Sequence, residues 1–441
     1  MKPDPIAEPA LSLRATVVIV GGGFGGLACA RALGNSDADV ILIDKRNHNL
    51  FQPLLYQVAT AALSPADISE PIRRTLGRYP NIRVLLGEVT GVDADAGAVL
   101  LESGMRVSYD HLVIATGSEY NYFGNDDWRT WAPGLKTVHE ARLIRQRLLL
   151  AYERAELSGN PVEKRALLTT VVIGGGPTGV EMAGAVHELG RYMIERDFRS
   201  LRAEDLRVLL IEAGPRILNG FPDHLADYAA DYLRNIGVEI RLGDPVQKIA
   251  SDHVVVGSER IETGCVIWGA GVKATPAARW LGVEPGPGGR IPVAPDLSLP
   301  GRPEIFVIGD CALAKDDAGE PLPGLAQVAK QQGRHLGRAL RRKLEQGTAL
   351  PPFRFHNRGN TAVVGRNAAV FDFGRWQMKG RLAWYLWAIV HVWLLVNFEK
   401  RILVSLQWIW RYVTRQRGAR LIDESAPEVP ATTARSETSN V

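Results

Sequence analysis

Cysteine is scarce in this sequence of 441 residues. Its three cysteines, Cys29, Cys265 and Cys311, lie far apart, and no two of them form a CxxC motif. This spacing supports neither a disulfide framework nor a zinc site. We therefore predict no metal centre, expect a reducing compartment, and interpret all three thiols as packing residues.

An export signal and a long apolar run are also missing. The N-terminus has no charged stretch followed by an apolar core and a cleavage site, and its first apolar run ends in glycines. Leu382–Phe398 is apolar except for His391 and Asn397, but its 17 residues only just reach the lower limit for a spanning helix. A stretch at Ile402–Trp410 is much too short.

Charge is unevenly distributed along the chain. The net charge is +4, but residues 374–420 hold nine lysines and arginines against one acid, Glu399, and the remainder is mildly acidic. Six of the ten tryptophans also lie there. Basic residues and tryptophans prefer the interface between lipid and water. We expect two amphipathic helices that lie on a membrane surface, with burial against a second subunit as the alternative, and no nucleic-acid partner.

Two segments have the same predicted order of elements. Each has a strand, a glycine turn, a helix and a second strand that ends in an acid. The first comprises strand Ala15–Val20, a helix from about Leu27, and strand Val40–Ile43 before Asp44. The second comprises strand Thr170–Ile173, a helix from Val180, and strand Val208–Ile211 before Glu212. This order predicts two nucleotide-binding sites.

The first glycine turn has the chemistry of a pyrophosphate site. Its residues are Gly21, Gly23, Phe24, Gly25 and Gly26. Glycines there allow a tight turn and a close approach of backbone N–H groups to phosphate at a helix N-terminus. Asp44, next to Lys45, lies at the offset expected of an acid that binds the adenosine ribose.

The second turn repeats this pattern with a longer offset. Its residues are Gly174, Gly176, Pro177, Thr178 and Gly179. We interpret the charged stretch 191–205 as an insertion that delays Glu212. A carboxylate at Glu212 would bond the 2′-hydroxyl of NADH and repel the 2′-phosphate of NADPH, so we predict a preference for NADH. The alternative is an ordinary surface acid at a strand end.

Further motifs carry a family resemblance. Ala115-Thr116-Gly117 and Ile308-Gly309-Asp310, together with the paired turns, resemble the flavoproteins with two dinucleotide-binding domains. The runs Phe51–Thr60 and Gly324–Gly333 and the tryptophan-rich C-terminus are similar to type II NADH dehydrogenases. The resemblance covers about residues 14–415.

The resemblance implies a role for each motif. FAD would occupy the first turn, with Thr116, Gly117, Gly309 and Asp310 along its ribityl chain and Ala326 and Gln327 beside it. NADH would occupy the second turn, with Gly271 in that site and Glu181 near the nicotinamide. Gln327 and Gln331 would share a helix face and shape a quinone pocket. Glu181 also follows Thr178 at the spacing of a capping box, which leaves a structural role open.

The predicted fold is α/β, with a discontinuous FAD domain, an inserted NADH domain and a C-terminal amphipathic helical segment. We assign residues 1–150 and 286–373 to the FAD domain, 151–285 to the NADH domain, 374–420 to membrane-surface helices and 421–441 to a disordered tail. The second part of the FAD domain would carry the quinone-site helix.

The predicted activity is FAD-dependent oxidation of NADH with transfer of two electrons to a membrane quinone, ubiquinone or menaquinone, without proton pumping. We expect a peripheral homodimer on the cytoplasmic face of a bacterial cell membrane. The alternatives are an NADH-dependent ferredoxin-type reductase and a flavin- and NADH-binding redox sensor of the same fold. Quinone reduction and membrane affinity discriminate among them.

Overall fold

The structure of the chain is a computed structural model that describes residues 14–395, 398–414, 418 and 420–422. The predicted disordered tail therefore lies outside the described residues, apart from Leu421 and Ile422. Asn397, Arg415 and Arg417 of the predicted membrane segment also lie outside them.

Residues 14–157, the described part of the first third of the chain, form ten strands and five α-helices. In chain order they are β1 (Thr16–Val20), α1 (Phe24–Ala32), β2 (Asp39–Asp44), β3 (His48–Leu50), α2 (Leu55–Ala59), α3 (Pro65–Ile68), β4 (Ser69–Pro71), α4 (Ile72–Leu76), β5 (Ile82–Leu86), β6 (Val89–Asp93), β7 (Ala98–Leu101), β8 (Arg106–Ser108), β9 (His111–Ile114), β10 (Ser118–Tyr120) and α5 (Val138–Leu157). Short 3₁₀ helices lie at Gln52–Leu54 and Asp126–Thr130.

The middle of the chain contains the second copy of the motif. Its elements are α6 (Pro161–Leu167), β11 (Thr169–Ile173), α7 (Pro177–Arg196), β12 (Arg207–Glu212), α8 (Asp223–Ile236), β13 (Val238–Leu242), β14 (Val246–Ile249), β15 (His253–Val256), β16 (Glu259–Glu262), β17 (Cys265–Trp268), β18 (Val272–Ala274) and α9 (Ala277–Trp280). A 3₁₀ turn lies at Ala203–Asp205.

The last third returns to the first sheet and then forms the C-terminal helices. Its elements are β19 (Ile291–Pro292), β20 (Ser298–Leu299), β21 (Arg302–Val307), β22 (Ala312–Leu313), α10 (Ala326–Gln346), β23 (Asn360–Gly365), β24 (Ala368–Asp372), β25 (Gln377–Gly380), α11 (Arg381–Leu394) and α12 (Phe398–Thr414). Further 3₁₀ turns lie at Pro287–Gly289 and Gly309–Cys311.

The first sheet joins both ends of the chain. Its strand order is β20-β21-β9-β1-β2-β5, and every neighbouring pair except β20 and β21 is parallel. β21 pairs with β9 although about 190 residues of chain separate them, and α10, which follows β21, packs on α1. The predicted discontinuous first domain is therefore confirmed.

The second sheet is built wholly from the intervening residues. Its order is β13-β12-β11-β17, and all its pairs are parallel. The strands β11 and β1 are almost entirely buried, as expected of parallel strands covered on both faces. The predicted α/β class with an inserted second Rossmann-like sheet is confirmed, whereas the exact domain bounds stay predictions.

An antiparallel ladder connects the two sheets. β10 follows β9 of the first sheet and pairs with β18, which follows β17 of the second. Tyr120 lies opposite Val272 in this ladder. The ladder therefore brings the carboxyl ends of β9 and β17 to a common region.

The C-terminal apolar stretch differs from its predicted extent. Helix α11 ends at Leu394, and Leu395 has an extended backbone, so Leu382–Phe398 is not one continuous helix. The predicted short stretch Ile402–Trp410 lies within the longer helix α12. Within the described ranges, no helix combines the length and apolarity that crossing a membrane requires.

Candidate functional site

The first glycine turn is forced by two very close backbone contacts. Gly21 has a φ of +104°, and a Cβ there would lie 2.4 Å from Ala115 O. A Cβ at Gly26 would lie 1.8 Å from the carbonyl oxygen of Gly21. Only glycine fits at these two positions, because the helix begins directly against the turn. Helix α1 begins at Phe24, earlier than predicted, since the N–H of Leu27 already donates to Gly23 O.

The acid at the end of β2 is tied to the same turn. The N–H of Gly22 donates to Asp44 Oδ2 at 2.6 Å, and the N–H of Arg46 donates to Asp44 Oδ1 at 2.7 Å. Asn49, which no sequence motif indicates, donates from Nδ2 to Gly22 O. These bonds fix the carboxylate beside the turn, where an adenosine ribose is expected.

The second turn has the same geometry. Gly174 has a φ of +106°, and a Cβ at Gly179 would lie 1.7 Å from Gly174 O. The N–H of Gly175 donates to Glu212 Oε2 at 2.5 Å. Glu212 thus occupies the place that Asp44 has in the first turn, although 37 residues rather than 22 separate it from its bonded glycine. The longer helix α7 accounts for part of that extra length.

Both helix N-termini suit a phosphate. Neither α1 nor α7 has a side-chain cap, and a Cβ at Gly23 or Gly176 would meet no atom within 4 Å. Uncapped N–H groups and the positive end of a helix attract an anion. The predicted capping box is absent from α7, because Gly176 is the N-cap and Thr178 is already the second residue of the helix.

A polar network lies where β9 and β21 end. Ser118 Oγ donates to Asp310 Oδ2 at 2.6 Å, and Lys136 Nζ donates to Ser118 Oγ at 2.6 Å. Burial lowers the pKa of Lys136, while the nearby Asp310 raises it. The hydroxyls of Thr116 and Thr275 lie 2.6 Å apart. These groups offer both donors and acceptors, as a polyhydroxyl chain requires.

Helix α10 packs closely on α1 and holds the Gly309 turn. A Cβ at Gly333 would lie 2.0 Å from Gly25 O, so the two helices touch through glycine. The buried Gln332 accepts the N–H of Gly309 at 2.7 Å. Gln332 was missed, because its neighbour Gln331 fits the family pattern and only the fold shows which glutamine points inward.

Gln327 and Gln331 lie on one face of α10, and both bind the same neighbouring segment. Gln327 donates to Gly359 O at 3.0 Å and accepts the N–H of Arg358 at 3.0 Å. Gln331 donates to His356 O at 2.9 Å and accepts the N–H of His356 at 3.1 Å. The two amides therefore hold residues 356–359 against the helix.

Glu181 lies on α7 beside β23. Burial raises the pKa of Glu181 to about 8, and the N–H of Val363, which donates to Oε1 at 3.3 Å, acts in the opposite direction. The carboxyl group is therefore mainly protonated at neutral pH. A neutral carboxylic acid can donate as well as accept a hydrogen bond.

Glu181 lines a cavity of about 550 Å³ that reaches the C-terminal helices. Its walls include Tyr56 and Gln57 of α2 and Trp387 and Trp408 of α11 and α12. The indole N–H of Trp408 donates to Gln57 Oε1 at 3.0 Å, and Gln57 donates to the Tyr56 hydroxyl at 3.1 Å. The buried Trp387 Nε1 has no hydrogen-bond partner among the described residues.

The remaining predicted residues lie around these features. Phe24 packs edge-on against Phe51, and Lys45 forms an ion pair with Glu88 at 3.0 Å. Ala326 is the first residue of α10. Gly271 has a φ of +72° and follows the Gly269-Ala270 backbone that contacts Gly174.

The cysteines behave as predicted. Cys29, Cys265 and Cys311 are free and buried, and burial raises the pKa of each thiol. A buried thiol of raised pKa is a poor nucleophile. The prediction that they are packing residues agrees with this environment.

Comparison with protein families gives a match over most of the chain. The model described as pyridine nucleotide-disulphide oxidoreductase matches residues 15–333. A type II NADH:quinone oxidoreductase of Mycobacterium tuberculosis is 38% identical over 435 residues, which are 96% of this chain and 92% of that protein.

Two less similar proteins also match most of this chain. An internal alternative NAD(P)H-ubiquinone oxidoreductase of Arabidopsis thaliana mitochondria is 30% identical over 445 residues, covering 93% of this chain and 86% of that protein. The structure of NDH2 from Plasmodium falciparum in complex with NADH has a TM-score of 0.84, with 21% identity over 93% of this chain and 100% of that one. The structural likeness shows a shared fold.

Proposed function

This chain belongs to the type II NADH:quinone oxidoreductases of the pyridine nucleotide-disulphide oxidoreductase family, and from that premise we propose how its residues carry out the reaction. The activity is oxidation of NADH with reduction of a quinone, and the cofactors are FAD and NADH. The observation that carries our assignment of the sites is the matching geometry of the two glycine turns, each with an acid bonded to its middle glycine.

FAD fits the first turn. Gly23, Phe24 and the following N–H groups of α1 would hold its pyrophosphate, and Asp44 its adenosine ribose. Since the sheet order runs from β2 through β1 to β9 and β21, the flavin half would extend toward Thr116 and Asp310. When bound, FAD accepts a hydride from NADH and passes two electrons to quinone.

NADH fits the second turn in the same manner. The uncapped start of α7 would hold its pyrophosphate, and Glu212 its adenosine ribose. The β10–β18 ladder brings this site toward the flavin site. The protein residues act by positioning both cofactors, which shortens the hydride path and excludes water.

The quinone would approach through the cavity between α7 and the C-terminal helices. A quinone ring is apolar and has two carbonyl acceptors, and the cavity offers aromatic walls with the indole N–H of Trp387, which has no partner in the described part of the chain. Protonated Glu181 lies on the same wall and can supply a hydrogen bond to a reduced oxygen. Gln327 and Gln331 would act there through residues 356–359, which lead directly into β23 beside Glu181.

Helices α11 and α12 would attach the enzyme to a bilayer surface. Their inner residues Ala383, Trp387 and Val404 are buried, whereas Ile389 is 68% and Leu406 is 59% exposed. Exposed apolar faces flanked by arginine and lysine suit an anionic lipid surface. We place the enzyme on the cytoplasmic face of a bacterial cell membrane as a homodimer.

Steady-state kinetics with NADH and NADPH test the cofactor assignment. With a water-soluble quinone as acceptor, the unmodified enzyme should favour NADH in kcat/KM. Glu212→Gln removes the negative charge but keeps an acceptor for one glycine N–H, so the preference should narrow by roughly tenfold, or about 1.4 kcal/mol. The exposed Glu284→Gln is the matched control and should leave the ratio unchanged. Equal kcat/KM values for both nucleotides in the unmodified enzyme would contradict the assignment.

A further inference from the structure

Phe123 is a large aromatic residue with a strained backbone conformation and an exposed side chain. Its backbone φ is +52°, in the left-handed region that disfavours residues with a Cβ. Its side chain is 64% exposed, so burial does not offset the strain. Strained residues of this kind concentrate at ligand-binding sites. The residue therefore needs an explanation that folding alone does not provide.

The surrounding turn holds Phe123 firmly in place. The N–H of Phe123 donates to Asn121 Oδ1 at 2.9 Å, and the Tyr122 hydroxyl donates to Ala132 O at 2.8 Å. The buried Tyr122 ring stacks on Trp268 with centroids 4.9 Å apart. The residue before Phe123 and the N–H of Phe123 itself are therefore anchored, which fixes the backbone from which the exposed ring projects.

That position is beside the second nucleotide site. The ring atom Cζ of Phe123 lies 2.9 Å from where a Cβ of Gly271 would be, so the ring rests against the glycine backbone. Gly271 belongs to the loop after β17, and that loop contacts Gly174 of the glycine turn. The ring therefore contacts a loop that in turn contacts the predicted pyrophosphate site.

The strand order indicates which half of NADH lies there. In the order β13-β12-β11-β17, Glu212 ends β12 and would bind the adenosine ribose. The pyrophosphate lies at the end of β11, so the nicotinamide half extends toward β17 and Gly271. Phe123 enters from the loop after β10, which belongs to the part of the chain that follows the flavin-site strand β9.

We propose that Phe123 is a further NADH-binding residue, whose exposed ring packs against the nicotinamide ribose half of the bound cofactor. The inference rests on the proposed NADH site at the second turn. A residue from the first domain would thus help to bind the cofactor of the second domain. An aromatic face offers a large rigid contact at little conformational cost.

Phe123→Gly separates this role from a structural one. Glycine adopts a positive φ without strain, so the holoenzyme should gain about 1–3 °C in Tm. Loss of the ring should weaken NAD+ binding about tenfold in calorimetry, while AMP, which lacks the nicotinamide half, should bind as before. Phe123→Leu keeps the strain and loses the ring, so it should weaken NAD+ binding without raising Tm.

Asn35→Gly is the matched control. Asn35 has a φ of +58° and is exposed, but it follows α1 in the first domain. Asparagine tolerates a positive φ better than phenylalanine, so this glycine variant should change Tm little and should bind NAD+ normally. Unchanged NAD+ affinity in Phe123→Gly, equal losses for NAD+ and AMP, or a lower Tm with lost binding would each overturn the inference. If the unmodified holoenzyme binds neither NAD+ nor AMP, the proposed NADH site itself fails.

Discussion

The sequence spacing of Glu181 indicates a helix-capping role, and the structure gives this residue a different environment. Its distance from Thr178 fits a capping box, yet the helix begins at Pro177 and the side chain reaches toward Val363. Burial raises the pKa of this carboxyl group to about 8. A carboxyl group that keeps its proton at neutral pH can donate a hydrogen bond to a substrate oxygen that gains electrons.

This raised pKa predicts a pH-dependent effect of Glu181→Gln on stability. The unfolded chain releases the proton near the ordinary pKa of a glutamic acid, about 4.3, whereas the folded protein keeps it until about pH 8. Between these values the folded state binds more protons, so its free energy of unfolding falls as pH rises. Glutamine is neutral in both states, so the Glu181→Gln variant does not lose this part of its free energy of unfolding as pH rises.

The Tm of the holoenzyme, measured from about pH 5 to pH 9, checks the effect. The advantage of Glu181→Gln over the unmodified enzyme should be small at the acid end, should grow with pH, and should level off above about pH 8. Glu195→Gln, which removes an exposed ion pair with Arg191, should show no such growth. A Tm difference that stays constant with pH would mean that Glu181 is ionised in the folded protein.

At the scale of elements, α10 connects the predicted glutamine motif with the cavity. Gln327 and Gln331 each make two hydrogen bonds with the backbone of residues 356–359. The segment then enters β23, whose Val363 donates to Glu181. A change in either glutamine should therefore affect the proposed quinone site without touching the glycine turns.

Alanine at Gln327 or Gln331 should slow quinone reduction more than flavin reduction. Loss of an amide that makes two bonds, each contributing about 1 kcal/mol, should lower kcat/KM for quinone by up to about thirtyfold. Stopped-flow reduction of the flavin by NADH should change less than about twofold, since that step depends on the other sites. Gln346→Ala, an exposed change at the end of the same helix, is the control. Equal losses in both steps would contradict a role in quinone reduction.

Elements built from local patterns were predictable from the sequence. The strands before both glycine turns, the two acids and the long helix α10 lie within a few residues of their predicted positions. Alternation, glycine spacing and helix length are properties of short stretches. The starts of α1 and α7 were predicted three residues too late, because the first turn of each helix contains glycines that the apolar pattern does not reveal.

Contacts between distant residues were not predictable. Gln332 with Gly309, Lys136 with Ser118, and Trp408 with Gln57 depend on how helices pack after the sheets have formed. A single sequence has no periodicity that links residues 57 and 408. Two C-terminal helices were predicted, but the place of the break between them was not, because apolar residues flank Leu395 directly and no proline or glycine marks the end of α11.

On the scale of the whole molecule, the C-terminal helices have two different faces. The inner face is tied to the body by the Arg74–Glu399 ion pair at 3.0 Å and by hydrogen bonds from Lys400 to Ala66 O and from Gln407 to Asp67. The outer face exposes large apolar side chains, namely Leu382, Tyr385, Ile389, Trp393, Ile402, Leu406, Ile409, Trp410 and Val413. Such a continuous apolar surface is typical of a binding site for lipid or protein.

Removing the helices altogether would not test the outer face cleanly. Trp387 and Trp408 form cavity walls, and their stacked rings lie 5.2 Å apart, so truncation would also open the proposed quinone site. Charged substitutions on the outer face are more selective. Ile389→Glu together with Leu406→Glu leaves the buried contacts in place and puts two anions where an anionic bilayer is expected.

The double variant should lose binding to sedimented vesicles that contain phosphatidylglycerol, while FAD content and NADH-dependent reduction of a soluble quinone stay unchanged. Each lost apolar side chain removes about 1.5–3 kcal/mol of burial, so the vesicle partition should fall by at least tenfold. High salt should release the unmodified enzyme only partly, because salt screens the attraction of arginine and lysine but not the apolar contact. Leu157→Glu, at a leucine of α5 that is 86% exposed, controls for added charge. If the double variant still binds vesicles but changes from dimer to monomer in light scattering, the outer face contacts a second copy of the chain and not lipid.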